Sequence, residues 1–499
     1  MTTLTPMPLS GSLEGAQIHL VGVKGTGMAA LAEVLVSKGA VVSGSDVGET
    51  FYTDALLAAV GIVPRVGFAE EHLPDGVSLV VYSAAYDPET NPELRAAIDR
   101  GIPLLTYTEA LGALSLEARE AGAPTVAVAG VHGKTSTTAL LGTLLRSLRI
   151  PGTVIVGSAV KSFGGAASYN GGSEALVAET CEYRRNFLSF YPSVLVVTAV
   201  EADHLDYYRD YADVLSAFVA FGERLAPGGL LVYCRDNAGA CEAAAAICGR
   251  RGDLRTVSYG FSDEADVPVR DYLLGTEETP EGPRRVQEFR IDGIDTLLKL
   301  RVPGKHMVEN AAAALTVLRE EPVFRRYLDA AGTEIALALA SFSGTTRRSE
   351  HLGTAGGIQF VDDYGHHPTA IRKTLETYRE FYGAERLIVD FMSHTYSRTA
   401  ALLDDFARAF AAADVVILHK IYASAREQFS GSVSGEDLVA AVGAYHPQVH
   451  YFEEVLDALP YCKGLLRPGD LFVTLGAGNN WVLGRELLSY FSKKAVHTR

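Results

Sequence analysis

The chain has 499 residues, of which 48% are hydrophobic and 21% charged, and its net charge is −16. About three domains fit that length; the apolar content excludes a mainly disordered chain, and the acidic field opposes nucleic acid and anionic membranes as partners. With five cysteines, no apolar run near the roughly 20 residues that span a bilayer and no basic-then-apolar leader in residues 1–16, a cytoplasmic protein is expected.

A strand over 17–22 opens the first segment, followed by Gly22, Gly25 and Gly27 and a helix over 28–37. Strands at 40–43, 78–83 and 103–105, with a helix at 53–60, complete a small parallel α/β unit. An Ala/Glu-rich helical stretch over 110–124 breaks at Pro124 and puts a boundary near residue 121. The second segment starts with a strand at 125–129 and continues with strands at 153–156, 175–178, 194–198 and 229–234. Within it, Cys234, Cys241 and Cys248 follow no common zinc spacing. Antiparallel strands are expected around Asp292-Gly293, and Asn310 is expected to open an Ala-rich helix. After a boundary near Ser343-Gly344, strands at 357–362, 386–390, 414–418 and 470–475 repeat the alternation. The expected architecture is three α/β units, 1–121, 122–343 and 344–499, joined by short hinges.

Gly130-Val-His-Gly-Lys-Thr-Ser136 lies between an apolar strand and a helix, where successive backbone N–H groups and a helix N-terminus can surround a phosphate. Lys134 can offset charge on the β/γ-phosphates and the Thr135 hydroxyl can ligate Mg²⁺. The loop is a variant, because Val128 stands where the full P-loop pattern has its first glycine. Glu179 and Glu201-Ala-Asp-His204 follow two later strands, and strand C-termini meet at the ligand edge of a parallel sheet. These groups either converge on Mg²⁺ or cap helices. Gly22, Gly25 and Gly27 do not make the dinucleotide fingerprint, and Asp46 after the second strand is either a ribose or base acceptor or a turn residue.

Six motifs occur in order: His19-Leu-Val-Gly-Val-Lys-Gly-Thr-Gly-Met28, Gly130-Val-His-Gly-Lys-Thr-Ser-Thr137, Glu201-Ala-Asp-His-Leu-Asp206, Gly344-Thr-Thr-Arg-Arg348, Asp362-Asp-Tyr-Gly-His-His-Pro368 and Gly476-Ala-Gly478. Together they resemble the ATP-dependent Mur ligases of peptidoglycan synthesis over essentially the whole chain. The resemblance implies a Rossmann-like N-terminal domain that binds the UDP-sugar, a central P-loop ATPase-type domain and a Rossmann-like C-terminal domain. It implies ATP and Mg²⁺ as cofactors, and UDP-N-acetylmuramate and L-alanine as substrates joined through an acyl phosphate. A tripeptide-adding ligase acting on the same sugar nucleotide, or another carboxylate–amine ligase, is the alternative. A monomer or weak homodimer is expected.

By resemblance, Gly22, Gly25 and Gly27 surround the nucleotide diphosphate. Gly130, His132, Gly133, Lys134, Thr135 and Ser136 cradle the ATP phosphates, with Thr135, Glu179 and His204 on Mg²⁺. Asn310 contacts adenine, and His306 lies on the phosphate or sugar side. Arg348 lies near the ATP phosphates, Asp363 at the ribose, and Arg398 near the amino acid or acyl phosphate. His366 and His367 serve as ligand or domain-closure contacts. Cys181, Arg184, Met307 and Thr395 depart from the family pattern and leave amino-acid choice open.

Overall fold

The computed structural model describes residue 9 and residues 13–204, 207–279, 282–328, 331–423 and 433–497; Leu205 and Asp206 of the third motif lie outside them. Three sheets carry the chain. The first holds β1 (Gln17–Val21), β2 (Val41–Asp46), β3 (Arg65–Val66), β4 (Leu79–Tyr82) and β5 (Leu104–Thr106), in the order 3-2-1-4-5. All its pairings are parallel.

The second comprises β6 (Thr125–Ala129), β7 (Thr153–Ile155), β8 (Ser168–Asn170), β9 (Leu176–Glu179), β10 (Val194–Val197), β11 (Leu230–Cys234), β12 (Arg255–Gly260), β13 (Val267–Thr279), β14 (Gly282–Ile291) and β15 (Ile294–Leu300), in the order 15-14-13-12-11-10-6-9-7-8. The third comprises β16 (Glu350–Ala355), β17 (Ile358–Asp363), β18 (Arg386–Met392), β19 (Val415–Leu418), β20 (Val449–Tyr451) and β21 (Asp470–Gly476), in the order 16-17-21-18-19-20. Only β16 runs antiparallel to its neighbour in this last sheet. The fold is therefore α/β as expected.

Strand order reverses beside β1 and beside β6, so each sheet opens a crevice at the C-terminal end of a buried strand that a glycine loop follows. β6 is buried at every residue, which is why its sequence reads as a continuous apolar run rather than an alternating one.

Residues 1–273, 288–300 and 305–342 form one compact unit, and residues 274–287, 301–304 and 343–499 form another. The first sheet and all of the second except the parts of β13 and β14 within 274–287 lie in one unit, across the boundary expected near residue 121. The physical reason is close packing between them: the Ser115 hydroxyl accepts from the Tyr191 N–H at 3.0 Å, and a Cβ on Gly112 would run into the Ser189 carbonyl. Helix Tyr107–Glu120 starts three residues ahead of its expected position because Thr106 and Glu109 form a capping box. Asn310 does not open its helix, which spans Lys305–Glu320. Gly304, at φ +99°, makes the turn before it. Among the described residues, no helix is long and apolar enough to cross a membrane.

Candidate active site

The loop after β6 turns on two glycines with positive φ, Gly130 at +144° and Gly133 at +83°. Gly133 has no room for a side chain, since a Cβ would sit 2.6 Å from Asn310 Oδ1. Asn310 is buried and accepts from the Thr137 hydroxyl at 3.2 Å, so it braces the phosphate loop from the neighbouring helix. Lys134 folds back over the loop, donating to the Gly130 carbonyl at 2.5 Å. It also donates to both carboxylate oxygens of Glu182, at 3.1 and 2.8 Å.

Glu182 is only 2% exposed. Burial alone would raise its pKa, but the Lys134 charge, the neighbouring His204 and the hydrogen bonds from Lys134 bring it down to about 2. Burial opposes the Lys134 charge as well, yet Glu182 and the nearby Cys181 and Glu179 hold the ammonium above its usual range. Sequence reasoning missed Glu182, although a carboxylate three residues beyond Glu179 at a strand end was a readable signal.

Thr135 donates to Glu179 Oε1 at 3.0 Å, and the Gly157 N–H donates to Glu179 Oε2 at 2.9 Å. Glu179 therefore caps no helix; it faces the phosphate loop. Mg²⁺ is commonly held by one or two protein groups plus phosphate and water, with oxygens at about 2.0–2.1 Å. Adjacent octahedral positions then lie about 3 Å apart, the spacing of the Thr135 and Glu179 oxygens, so that pair fits the ion. His204 lies beside Glu182, with its Nε2 3.6 Å from that carboxylate, which raises the imidazole pKa. Among the described residues, no group of three or more His, Cys, Asp or Glu side chains is arranged to hold a metal. Ser136 is half-buried in the first turn of helix Lys134–Ser147, His132 is exposed with Nε2 3.9 Å from Glu201, and His306 is exposed.

The loop after β1 is built differently. Gly22 has φ +81°, and a Cβ there would lie 2.6 Å from the Tyr86 ring. Gly25 precedes helix Thr26–Ser37, and a Cβ on Gly27 would lie 2.7 Å from the Tyr107 ring. Asp46 is buried and accepts from the Lys24 N–H at 2.7 Å, the Val47 N–H at 2.7 Å and the Tyr86 hydroxyl at 3.3 Å. Of its two expected roles, the structure displays the turn-ordering one.

A cavity of about 210 Å³ lies between the loop after β1 and the segment at Glu179 that faces the phosphate loop. Thr26 and Gly27 line one side, Gly157, Glu179, Thr180 and Cys181 another, and Leu111, Phe187 and Phe190 supply apolar surface. Tyr107, half-buried and in contact range of Gly27, also lines it.

In the second unit, Arg347 rather than Arg348 is the structural hub. Its guanidinium donates to the Gly476 carbonyl at 2.5 Å, the Gly478 carbonyl at 2.9 Å and Asp362 at 3.3 Å, tying three of the six motifs together. Burial pushes the Asp362 carboxyl up to about 6, against the pull of Arg347. Arg348 lies over the Tyr364 ring, 5.2 Å from its centroid. Asp363 accepts from the Ser349 N–H at 2.7 Å, the Gly365 N–H at 2.7 Å and the Tyr378 hydroxyl at 3.1 Å, so any ribose hydroxyl would share an already occupied carboxylate.

His366 is half-buried beside Arg398, Arg348 and His394; burial and those charges push its pKa down to about 3, keeping it neutral. Arg398 Nη1 is 3.4 Å from His394 Nδ1. His367 is exposed. Its Nδ1 caps helix Pro368–Tyr382 by accepting from the Thr369 N–H at 3.3 Å. Thr395 holds φ +70°, a strained backbone for a β-branched residue, next to this cluster.

A strand-end phosphate loop, a facing carboxylate and a second glycine loop across a cavity define a phosphate-binding α/β protein. Three family models match it: the Mur ligase family catalytic domain over residues 17–119, the Mur ligase middle domain over 128–318 and the Mur ligase glutamate ligase domain over 347–478. The chain is 46% identical to the UDP-N-acetylmuramate–L-alanine ligase of Treponema pallidum, across 97% of this chain and 99% of that protein. It is 38% identical to the enzyme of the same name from Desulfitobacterium hafniense, across 94% and 99%.

The UDP-N-acetylmuramate-alanine ligase of Thermotoga maritima has the same fold, with a TM-score of 0.77, 24% identity and coverage of 96% and 99%. A murein peptide ligase from Psychrobacter arcticus follows with a TM-score of 0.65, 20% identity and the same coverage. At such identities the two structures speak for fold alone. The chain belongs to the Mur ligase family.

Proposed function

We propose that the protein is an ATP-dependent ligase that joins L-alanine to the lactyl carboxylate of UDP-N-acetylmuramate in peptidoglycan precursor synthesis. Two full-length relatives bearing that enzyme name support the substrate pair. The single observation that carries the reading is the cavity that reaches from the Thr26–Gly27 loop to Glu179 beside the ATP-type loop. A sugar nucleotide lying along it has its diphosphate at one glycine loop and its carboxylate at the other.

The carboxylate oxygen attacks the γ-phosphorus, giving an acyl phosphate and ADP; the amine of alanine then attacks the acyl carbon and phosphate leaves. A free carboxylate is a poor electrophile, and this is why ATP is consumed. Lys134 leaves Glu182 to meet charge developing on the transferring oxygens. Mg²⁺ would be held by Thr135 and Glu179 and would supply Lewis-acid stabilisation of the phosphates. His204 acts with Glu182 in orienting this corner, and Asn310 supports the loop on the adenine side. We assign Arg348 to the phosphates, Asp363 to ribose, and Arg398 with neutral His366 to the incoming amino acid.

The domain limits belonging to this reading are 1–121, 122–343 and 344–499. All five cysteines are free, which suits a reducing cytoplasm. The test is to mix the protein with UDP-N-acetylmuramate, ATP and Mg²⁺, add single amino acids or the tripeptide, and identify products by mass. Ligation of alanine is expected; product with the tripeptide alone would overturn the choice of substrate.

A further inference from the structure

Helix Thr26–Ser37 is buried without interruption from Met28 to Leu35, and one residue in that run is charged by nature: Glu33, 5% exposed. A carboxyl in an apolar helix face is unfavourable unless its oxygens are hydrogen-bonded. Glu33 finds its donors in the other sheet. The Ala167 N–H lies 3.2 and 3.1 Å from its two oxygens, and the Ser168 hydroxyl donates at 2.7 Å. Ser168 is itself oriented, because its oxygen accepts from Asn170 Nδ2 at 2.9 Å. Burial still raises the Glu33 carboxyl above its ordinary range, against the pull of these donors.

The two bodies joined here are also two walls of the cavity. Thr26 and Glu33 are seven residues apart, two helical turns along one face and about 10 Å in rise. The helix end that carries Thr26 and Gly27 lines the cavity. On the other side, Ser168 pairs with Ile155 of β7, and the Val156 N–H donates to the Ala167 carbonyl at 3.0 Å. Gly157 comes next, lining the cavity and holding Glu179.

We propose that Glu33 is a positioning residue that sets the gap between the first glycine loop and the Gly157–Glu179 wall, and so governs affinity for the sugar nucleotide. This rests on the reading that the cavity takes that substrate. A shift of one wall by a fraction of an ångström changes how a ligand spanning both is held, while the loop around Lys134, braced by Asn310 and Glu182, keeps its geometry.

The test compares wild type, Glu33→Gln, Glu33→Ala and Ser168→Ala in steady-state ligation, with thermal melting to establish folding. Glu33→Ala is expected to raise KM for UDP-N-acetylmuramate about tenfold, with KM for ATP and kcat changed by less than about threefold. Ser168→Ala follows in the same direction by about threefold. Glu33→Gln stays within about twofold of wild type, since its amide oxygen accepts from Ala167 and its NH₂ donates to Ser168. An equal rise in both KM values, a loss confined to kcat, an unchanged sugar-nucleotide KM in folded variants, or failure of Gln to rescue would each overturn the proposal. Should Glu33→Ala not fold, Ser168→Ala and Glu33→Gln carry the comparison. Calorimetric binding of UDP-N-acetylmuramate repeats it without turnover. A wild type that binds but does not ligate therefore contradicts the proposed function and leaves the role of Glu33 decided by binding.

Discussion

Two glycine loops in the first unit begin alike, each after a buried parallel strand and each ahead of a helix, and each carries a lysine. They differ in what the lysine meets. Lys134 lies over its own loop in a buried pair with Glu182. Lys24 turns away, donating to the Val47 carbonyl at 3.0 Å and the Glu49 carbonyl at 2.7 Å, and lies 3.2 Å from Asp54. One loop holds its cation over its own backbone in an ion pair with Glu182, the place from which the proposed mechanism draws it to the phosphate. The other uses its cation to staple the turn after β2 and offers a ligand backbone and small residues. A loop's glycine pattern thus announces a phosphate, and the lysine's partner decides between chemistry and binding.

The comparison is broken most directly at Lys134. Lys134→Ala is expected to lower both phosphate release and ligation by about 10³-fold, and to lose about 3 kcal/mol of stability because Glu182 is left buried without its cation. The double variant Lys134→Met with Glu182→Gln should regain the melting temperature and not the activity; recovery of ligation would contradict the account.

Acid titration sharpens the same contrast. Glu182 has a folded pKa of about 2, below the unfolded value of 4.5, so its contribution is complete above pH 4.5 and is lost as pH falls towards 2. The loss amounts to roughly 3 kcal/mol, a little under half of it by pH 3.5. Urea titrations of wild type and Glu182→Gln at pH 5.5 and 3.5 should show a smaller decline in the variant.

Gly27→Ala drives a Cβ against the Tyr107 ring, 2.7 Å away. The expected result is about a tenfold rise in KM for the sugar nucleotide with KM for ATP unchanged. Lys24→Met removes only a partly exposed staple, and should lower stability by about 1 kcal/mol or less with kcat within twofold of wild type.

Much of this was readable in the chain. The alternation of apolar runs and glycine loops located all three sheets, and the strand before Gly130 was buried as its continuous hydrophobicity required. The partners were harder. Nothing in the dipeptide Arg347-Arg348 says which guanidinium is buried on the Gly476 and Gly478 carbonyls, because that depends on contacts more than a hundred residues away. His367 also caps a helix, a contact that its place beside His366 in the sequence does not announce. Asn310 suits a helix start by propensity, yet the helix begins at Lys305 and the amide is used against the phosphate loop. Glu33 is a lone carboxylate in an apolar helix, and its donors at Ala167 and Ser168 are more than 130 residues away. Each of these roles is set by tertiary pairing, to which local propensity and spacing are blind.

The central claim is that this chain activates a carboxylate by transferring the γ-phosphate of ATP to it. The most direct measurement labels the lactyl carboxylate of UDP-N-acetylmuramate with ¹⁸O, runs the ligation with L-alanine, and weighs the released inorganic phosphate. Passage through an acyl phosphate predicts one ¹⁸O in phosphate for each peptide bond formed. Unlabelled phosphate accompanying labelled ligation product would contradict it.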